Sequence, residues 1–123
     1  TPVKGVYRVV SNKTDFMELA PGETELRRVK GDCWGTPGRT GRQISGTFIF
    51  TDRRLLFQGG GLIASMRPAF SLPYGEVTRI ENCTVGLFIP TGIRLYARGG
   101  GFYTISVMKR KEIAAFLQKK IQQ

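Results

Sequence analysis

Residues 46–57 read G-T-F-I-F-T-D-R-R-L-L-F, and this stretch decides the fold. Phe48 and Phe50 alternate with Thr47, Ile49 and Thr51. Beyond Asp52 and Arg53, Leu55 and Phe57 fall on one side and Leu56 on the other. Short runs rich in β-branched and aromatic residues, with period two, form strands. Two polar residues between two such runs match a tight hairpin loop. The apolar side of this hairpin needs a core, and the rest of the chain is read for what supplies it.

Upstream, residues 23–30 alternate loosely and read as the first strand. Downstream, strands are expected at 69–72, 77–82, 93–97 and 102–107, with a short apolar piece at 86–89 closed by Pro90. Gly99, Gly100 and Gly101 turn the sixth strand directly into the seventh. From Lys109 the period changes: Ile113, Phe116, Leu117 and Ile121 recur at helical spacing, with Lys111, Glu112, Gln118 and Lys119 largely opposite. That is an amphipathic helix whose apolar face covers a sheet, with a place on a membrane surface as the alternative for so basic a helix. Residues 1–20 form an N-terminal extension with an alternating run at 6–10. A short helix is capped there by Asp15 with Glu18 three residues on, and ended by Pro21 and Gly22. Residues 21–123 form the domain.

The clearest break is 31–43, G-D-C-W-G-T-P-G-R-T-G-R-Q. Four glycines and one proline in thirteen residues predict a long loop, of the length that is often functional. It holds the only tryptophan, Trp34, near Arg39 and Arg42. Trp34 serves either as an interfacial anchor or as a lid on the core edge.

The chain is long enough, at 123 residues, to bury one core without metal or disulfides. Net charge is +10, from 19 Lys and Arg against 9 Asp and Glu, and this favours acidic partners. There is no histidine, so no Ser-His-Asp or Cys-His pair forms and no histidine ligates a metal. Glu23 and Glu25 share a strand face and read as solvated. The glycine triplets neither lead into G-K-S/T nor open a helix, so they are turns and not phosphate loops. Cys33 and Cys83 read as free thiols, with a single bridge open to them in an oxidising compartment. No run of about 18 apolar residues spans a membrane. The chain begins at Thr1 rather than Met, which leaves room for a segment removed upstream.

Seven strands followed by one helix is the element order of the pleckstrin-homology superfold, and several motifs sharpen the likeness. Residues 46–57 resemble the GRAM and bacterial PH-like pattern of glycine, short apolar strand, threonine, polar turn, arginine and second apolar strand. F-S-L-P-Y-G-E-V-T-R-I-E at 70–81 is similar to the next element, and G-I-R-L-Y-A-R-G-G-G-F-Y-T-I-S-V at 92–107 to the last hairpin. P-G-E at 21–23 resembles a common start. The likeness covers roughly residues 21–121 and implies a mainly β, α+β fold: a split barrel of two bent antiparallel sheets capped by the C-terminal helix.

The resemblance also implies a binding module, not an enzyme, with no cofactor. Many members bind anionic lipid through the loop between the first and second strands. Lys30, Arg39 and Arg42 occupy that stretch here, although Thr40 and Gly41 interrupt the family's R-x-R ending. With Arg28, Trp34, and Arg53 and Arg54 at the hairpin tip, they form the expected contact surface for an anionic lipid or an acidic protein surface. A protein-interaction or self-assembling, homo-oligomeric module is the alternative. Nucleic acid is disfavoured, because the aromatics alternate into strands and do not line a basic groove. The expected location is cytoplasmic, at the membrane periphery.

Overall fold

The computed structural model describes residues 18–60 and 68–123, with residues 39–42 as backbone only. The expected run at 6–10, the Asp15 cap and the connection at 62–67 lie outside the described residues. Seven strands and one helix follow in order: β1 (Glu25–Thr36), β2 (Arg39–Thr51), β3 (Arg54–Gly59), β4 (Ala69–Pro73), β5 (Val77–Val85), β6 (Ile89–Ala97), β7 (Phe102–Val107) and α1 (Arg110–Ile121). All strand pairs are antiparallel. The spatial order is β4-β3-β2-β1-β7-β6-β5, so the two halves of the split barrel are one curled sheet joined through β1.

Residues 31–43 are not a loop. β1 runs on to Thr36, a turn at Pro37 and Gly38 follows, and β2 starts at Arg39. The glycines serve close approach. Along 31–35, β1 pairs with β2 on one side and β7 on the other. A Cβ on Gly31 would lie 2.3 Å from Ser106 O, and one on Gly46 would lie 2.3 Å from Gln58 O. A side chain at either position would push the strands apart. Within this stretch Gly38, with φ 81°, takes the left-handed conformation that a turn requires.

The central hairpin, the β6–β7 hairpin and the C-terminal helix lie where the sequence places them. The β2–β3 turn at Asp52 and Arg53 joins strands in the register Phe50 to Leu55 and Phe48 to Phe57. Phe48, Phe50, Leu55 and Phe57 are buried together. Rings in contact run across the barrel from Phe48 to Phe57 (4.8 Å), Phe57 to Phe70 (5.5 Å) and Phe70 to Tyr103 (4.8 Å), so β4 meets β7 through side chains. At the other end Phe116 of α1 meets Phe50 edge-on at 5.6 Å, with Ile113 and Leu117 fully buried. Cys33 lies in the core, Cys83 is half-buried, and both are free thiols.

Glu23 is buried, not solvated. Its side chain is 1% exposed and that of Arg54 is 4% exposed. Arg54 Nε and Nη2 donate to Glu23 Oε2 (2.7 Å) and Oε1 (2.8 Å), the two-pronged geometry of a strong ion pair. Thr51 Oγ1 donates to Glu23 Oε2 at 2.7 Å, and the Ala20 N–H donates to Oε1 at 2.8 Å. Arg54 Nη1 reaches Ser71 Oγ at 3.0 Å, and Tyr74 OH donates to Thr51 O at 2.7 Å. Burial by itself raises the Glu23 pKa. The hydrogen bonds from Arg54, Thr51 and Ala20, and the Arg54 charge, outweigh it and hold the carboxyl at about 2. Burial pushes the Tyr74 phenol up, with the charges of Asp52 and Glu23 adding to the shift. The cluster fastens residues 18–24 to the β2–β3 turn, where Thr24 and Asp52 also exchange hydrogen bonds.

Two stability predictions follow from these contacts. Gly31→Ala should cost about 3 kcal/mol in urea denaturation, because the new methyl meets backbone that cannot retreat. Gly75→Ala, where a Cβ meets nothing within 4 Å, should stay within about 0.5 kcal/mol of the native protein. Equal stability of the two variants would show that the strands are not this close.

Glu23→Ala should cost about 3–5 kcal/mol at neutral pH, because it strands a buried guanidinium. Glu25→Ala, which breaks the exposed pair with Arg28, should cost below about 1 kcal/mol. The folded-state pKa of Glu23 lies below its ordinary value of 4.5. Its stabilisation is therefore complete above that value and lost as the pH falls towards about 2. The gap between native protein and Glu23→Ala, followed by acid titration, should close over that window. A gap independent of pH would contradict the pairing.

Candidate functional site

The described side chains among those expected at one contact surface do not all lie together. Arg53 sits exposed on the β2–β3 turn, while Arg39 and Arg42 begin β2 at its other end. At about 3.3 Å per residue, roughly 35 Å of strand contour separates Arg42 from Arg53. Arg54 is consumed by Glu23 and belongs to the fold. Arg28 lies on the outer face of β1, where it holds Glu25 through two hydrogen bonds of 2.6 and 3.0 Å.

Lys30 and Trp34 do come together. Side chains alternate along a strand, and beyond Val29 the outward row of β1 is Lys30, Asp32 and Trp34, with Cys33 turned into the core. These three line a groove of about 630 Å³ on the outside of the sheet, with Val85 and Ile89 at the end of β5 and the start of β6, and Met108 just past β7. Trp34 Nε1–H donates to Ser106 Oγ at 3.1 Å. Its ring lies beside Gly86, where a Cβ would approach Trp34 Cη2 to 3.5 Å. Trp34 is thus a half-buried wall with its polar group satisfied. Asp32 accepts from Gln43 Nε2 (2.9 Å) and Ser45 Oγ (2.7 Å).

One end of this groove carries residues that sequence reasoning missed. β5 extends to Val85 and β6 starts at Ile89, so the apolar piece expected at 86–89 is mostly a turn, opened by Gly86 at φ 60°. It leaves Leu87 and Phe88 each 85% exposed and Ile89 50% exposed, and Met108 is 89% exposed. Lys109 and Lys111 follow Met108, both exposed. Between them, Arg110 Nη1 donates to Cys83 O at 3.1 Å, fixing the start of α1 against the end of β5. The available signal was the run Leu87-Phe88-Ile89-Pro90: four residues without polar alternation, next to a glycine.

Most arginines are engaged. Arg27 pairs with Glu112 at 2.6 Å. Arg79 lies over the Tyr96 ring at 4.1 Å, and Arg94 over Phe102 at 4.8 Å. Lys30, Lys109 and Lys111 form no ion pair among the described residues.

The interior offers little chemistry. A cavity of about 310 Å³ is lined by Cys33, Phe57, Phe70 and Tyr103, among others, and burial there pushes the Tyr103 phenol up. Burial likewise raises the Cys83 thiol against the lowering pull of Arg94 and Arg110, which is the opposite of an activated nucleophile. Among the described residues, no group of three or more Cys, Asp or Glu side chains is placed to hold a metal, and no helix is long and apolar enough to cross a membrane.

No protein-family model matches the chain, and no curated protein matches it. Solved structures do. The C-terminal domain of an unknown protein from Leishmania infantum superimposes with TM-score 0.67 at 21% identity, over 84% of this chain and 88% of that one. The Vps36 N-terminal PH domain gives 0.65 at 13% identity, over 93% and 88%. The hSac2 domain of the human phosphoinositide phosphatase Sac2 gives 0.60 at 17% identity, over 85% and 73%. At such identities the likeness is one of architecture: the chain has the pleckstrin-homology-like fold.

Proposed function

We propose that the chain is a non-catalytic binding module, near GRAM and bacterial PH-like domains in its sequence resemblance, that associates peripherally with an anionic membrane on its cytoplasmic side. The carrying observation is a set of exposed lysines without an ion pair among the described residues: Lys30, which lines the outer groove, and Lys109 and Lys111, which follow the groove residue Met108 in the chain. A net charge of +10 adds a long-range attraction. Each lysine held near an anionic bilayer contributes roughly 1 kcal/mol, within a Debye length of the surface. Two free thiols, Cys33 and Cys83, suit a reducing compartment. A self-assembling module would use an open strand edge. Arg110 taking the Cys83 carbonyl on the edge strand β5 weighs against that use.

The native protein should float with vesicles of phosphatidylserine in phosphatidylcholine, should ignore pure phosphatidylcholine at low salt, and should bind more weakly as salt rises. Replacing Lys30, Lys109 and Lys111 by Gln together should weaken the partition on the order of a hundredfold. Arg53→Gln, at the distant turn, should change it little. Failure of the native protein to float with anionic vesicles would transfer the role to a protein contact.

A further inference from the structure

The β5–β6 turn presents its most apolar side chains to water. Leu87 and Phe88 are each 85% exposed, and Met108, beside the same groove, is 89% exposed. Single exposed hydrophobes are ordinary, but a contiguous projecting set signals a contact. The turn itself is well fixed. Val85 is buried, Val85 and Ile89 pair across it, Gly86 takes the left-handed conformation and Pro90 follows. The side chains are therefore held outward by a hairpin, not left outside by a loose segment. Lys30 lies in the adjoining groove, and Lys109 and Lys111 stand at the start of α1, which Arg110 ties to Cys83 two residues from the end of β5. The acidic groups on this side are already engaged: Asp32 by Gln43 and Ser45, Glu112 by Arg27.

An apolar tip with a collar of unpaired lysines matches one kind of surface, in which an acyl region lies directly beneath a sheet of negative headgroups. We infer that Leu87 and Phe88, with Met108 alongside, insert into the acyl boundary of an anionic bilayer while Lys30, Lys109 and Lys111 hold its headgroups. This rests on the membrane reading above and adds its mode: the docking element is the β5–β6 turn, not the β1–β2 turn. Trp34 supports the wedge from behind, since its ring lies against Gly86 and its N–H is held by Ser106.

Two components of binding then separate. Lysine attraction fades at high salt, whereas apolar insertion persists. The test compares the native protein with Leu87→Ser/Phe88→Ser on phosphatidylserine vesicles at low and high salt, with a thermal melt of each. The two residues are almost wholly exposed, so the melt should not move. The native protein should keep a salt-resistant fraction, and the double variant should lose it, with roughly tenfold weaker partition or more at high salt.

As an independent readout, Phe88→Trp should be quenched by brominated acyl chains beyond the native protein, whose only tryptophan is Trp34. If the native protein floats with anionic vesicles while the double variant floats equally well and Phe88→Trp is not quenched, the insertion is overturned. The charge-based reading then stands, and the apolar turn becomes a protein-contact face. If the native protein fails to float at all, both fall.

Discussion

The passage of β1 between β2 and β7 at Gly31 sets the rest of the structure. At that residue the chain is paired on both sides, with Gly46 and with Val107. The neighbouring backbone comes close enough that a methyl group would collide with Ser106 O. One strand thereby belongs to both halves of the barrel, and a single seven-stranded sheet can curl until β4 meets β7 through Phe70 and Tyr103. The same passage sets the parity of β1, with Cys33 in the core and Lys30, Asp32 and Trp34 outside. The floor of the groove is thus a by-product of how the barrel closes.

A second constraint divides the positive charge into fixed and available parts. Arginine presents a planar fork that suits bidentate pairing and stacking on rings, whereas lysine is a compact, strongly hydrated charge. The chain uses that difference. Arg54 is buried against Glu23, Arg27 holds Glu112, and Arg79 and Arg94 lie on Tyr96 and Phe102. The net charge of +10 is therefore a poor guide to where a partner binds, because arginine contributes to it even where the fold consumes it. Among the described residues, Lys30, Lys109 and Lys111 are exposed and form no ion pair.

What could be read from the sequence follows the range of the interactions. The β2–β3 hairpin, the β6–β7 hairpin with Gly99 and Gly100 at positive φ, and the apolar stripe of α1 through Ile113 and Leu117 all declare themselves within a dozen residues. Gly31 does not. Its surroundings read as a loop, but its purpose is set by a strand far along the chain, at Ser106. Glu23 likewise looks like a solvated strand residue until Arg54, 31 positions on, closes upon it. The proposed contact surface has the same mixture: Lys30 borders and Trp34 lies in a stretch whose composition reads as a loop but which is a strand, while Leu87, Phe88 and Met108 come from two other connections that only the sheet order brings beside β1.

The same geometry favours a contact outside the barrel over one at the β1–β2 turn. In the family resemblance, the loop between the first two strands is the expected lipid contact. Here that connection is reduced to a turn at Pro37 and Gly38, and Pro37 packs against the β6–β7 turn so closely that a Cβ on Gly101 would lie 2.8 Å from it. Behind it the Phe70–Tyr103 contact narrows the interior to a cavity of about 310 Å³. A headgroup entering that cavity would lose water, which is costly unless a partner charge replaces it. At the opposite end of β6 and β7, Lys109, Lys111, Leu87, Phe88 and Met108 stand exposed, so the proposed bilayer contact requires no strand to move. The same run of β1 closes the barrel and forms the floor of the outer groove.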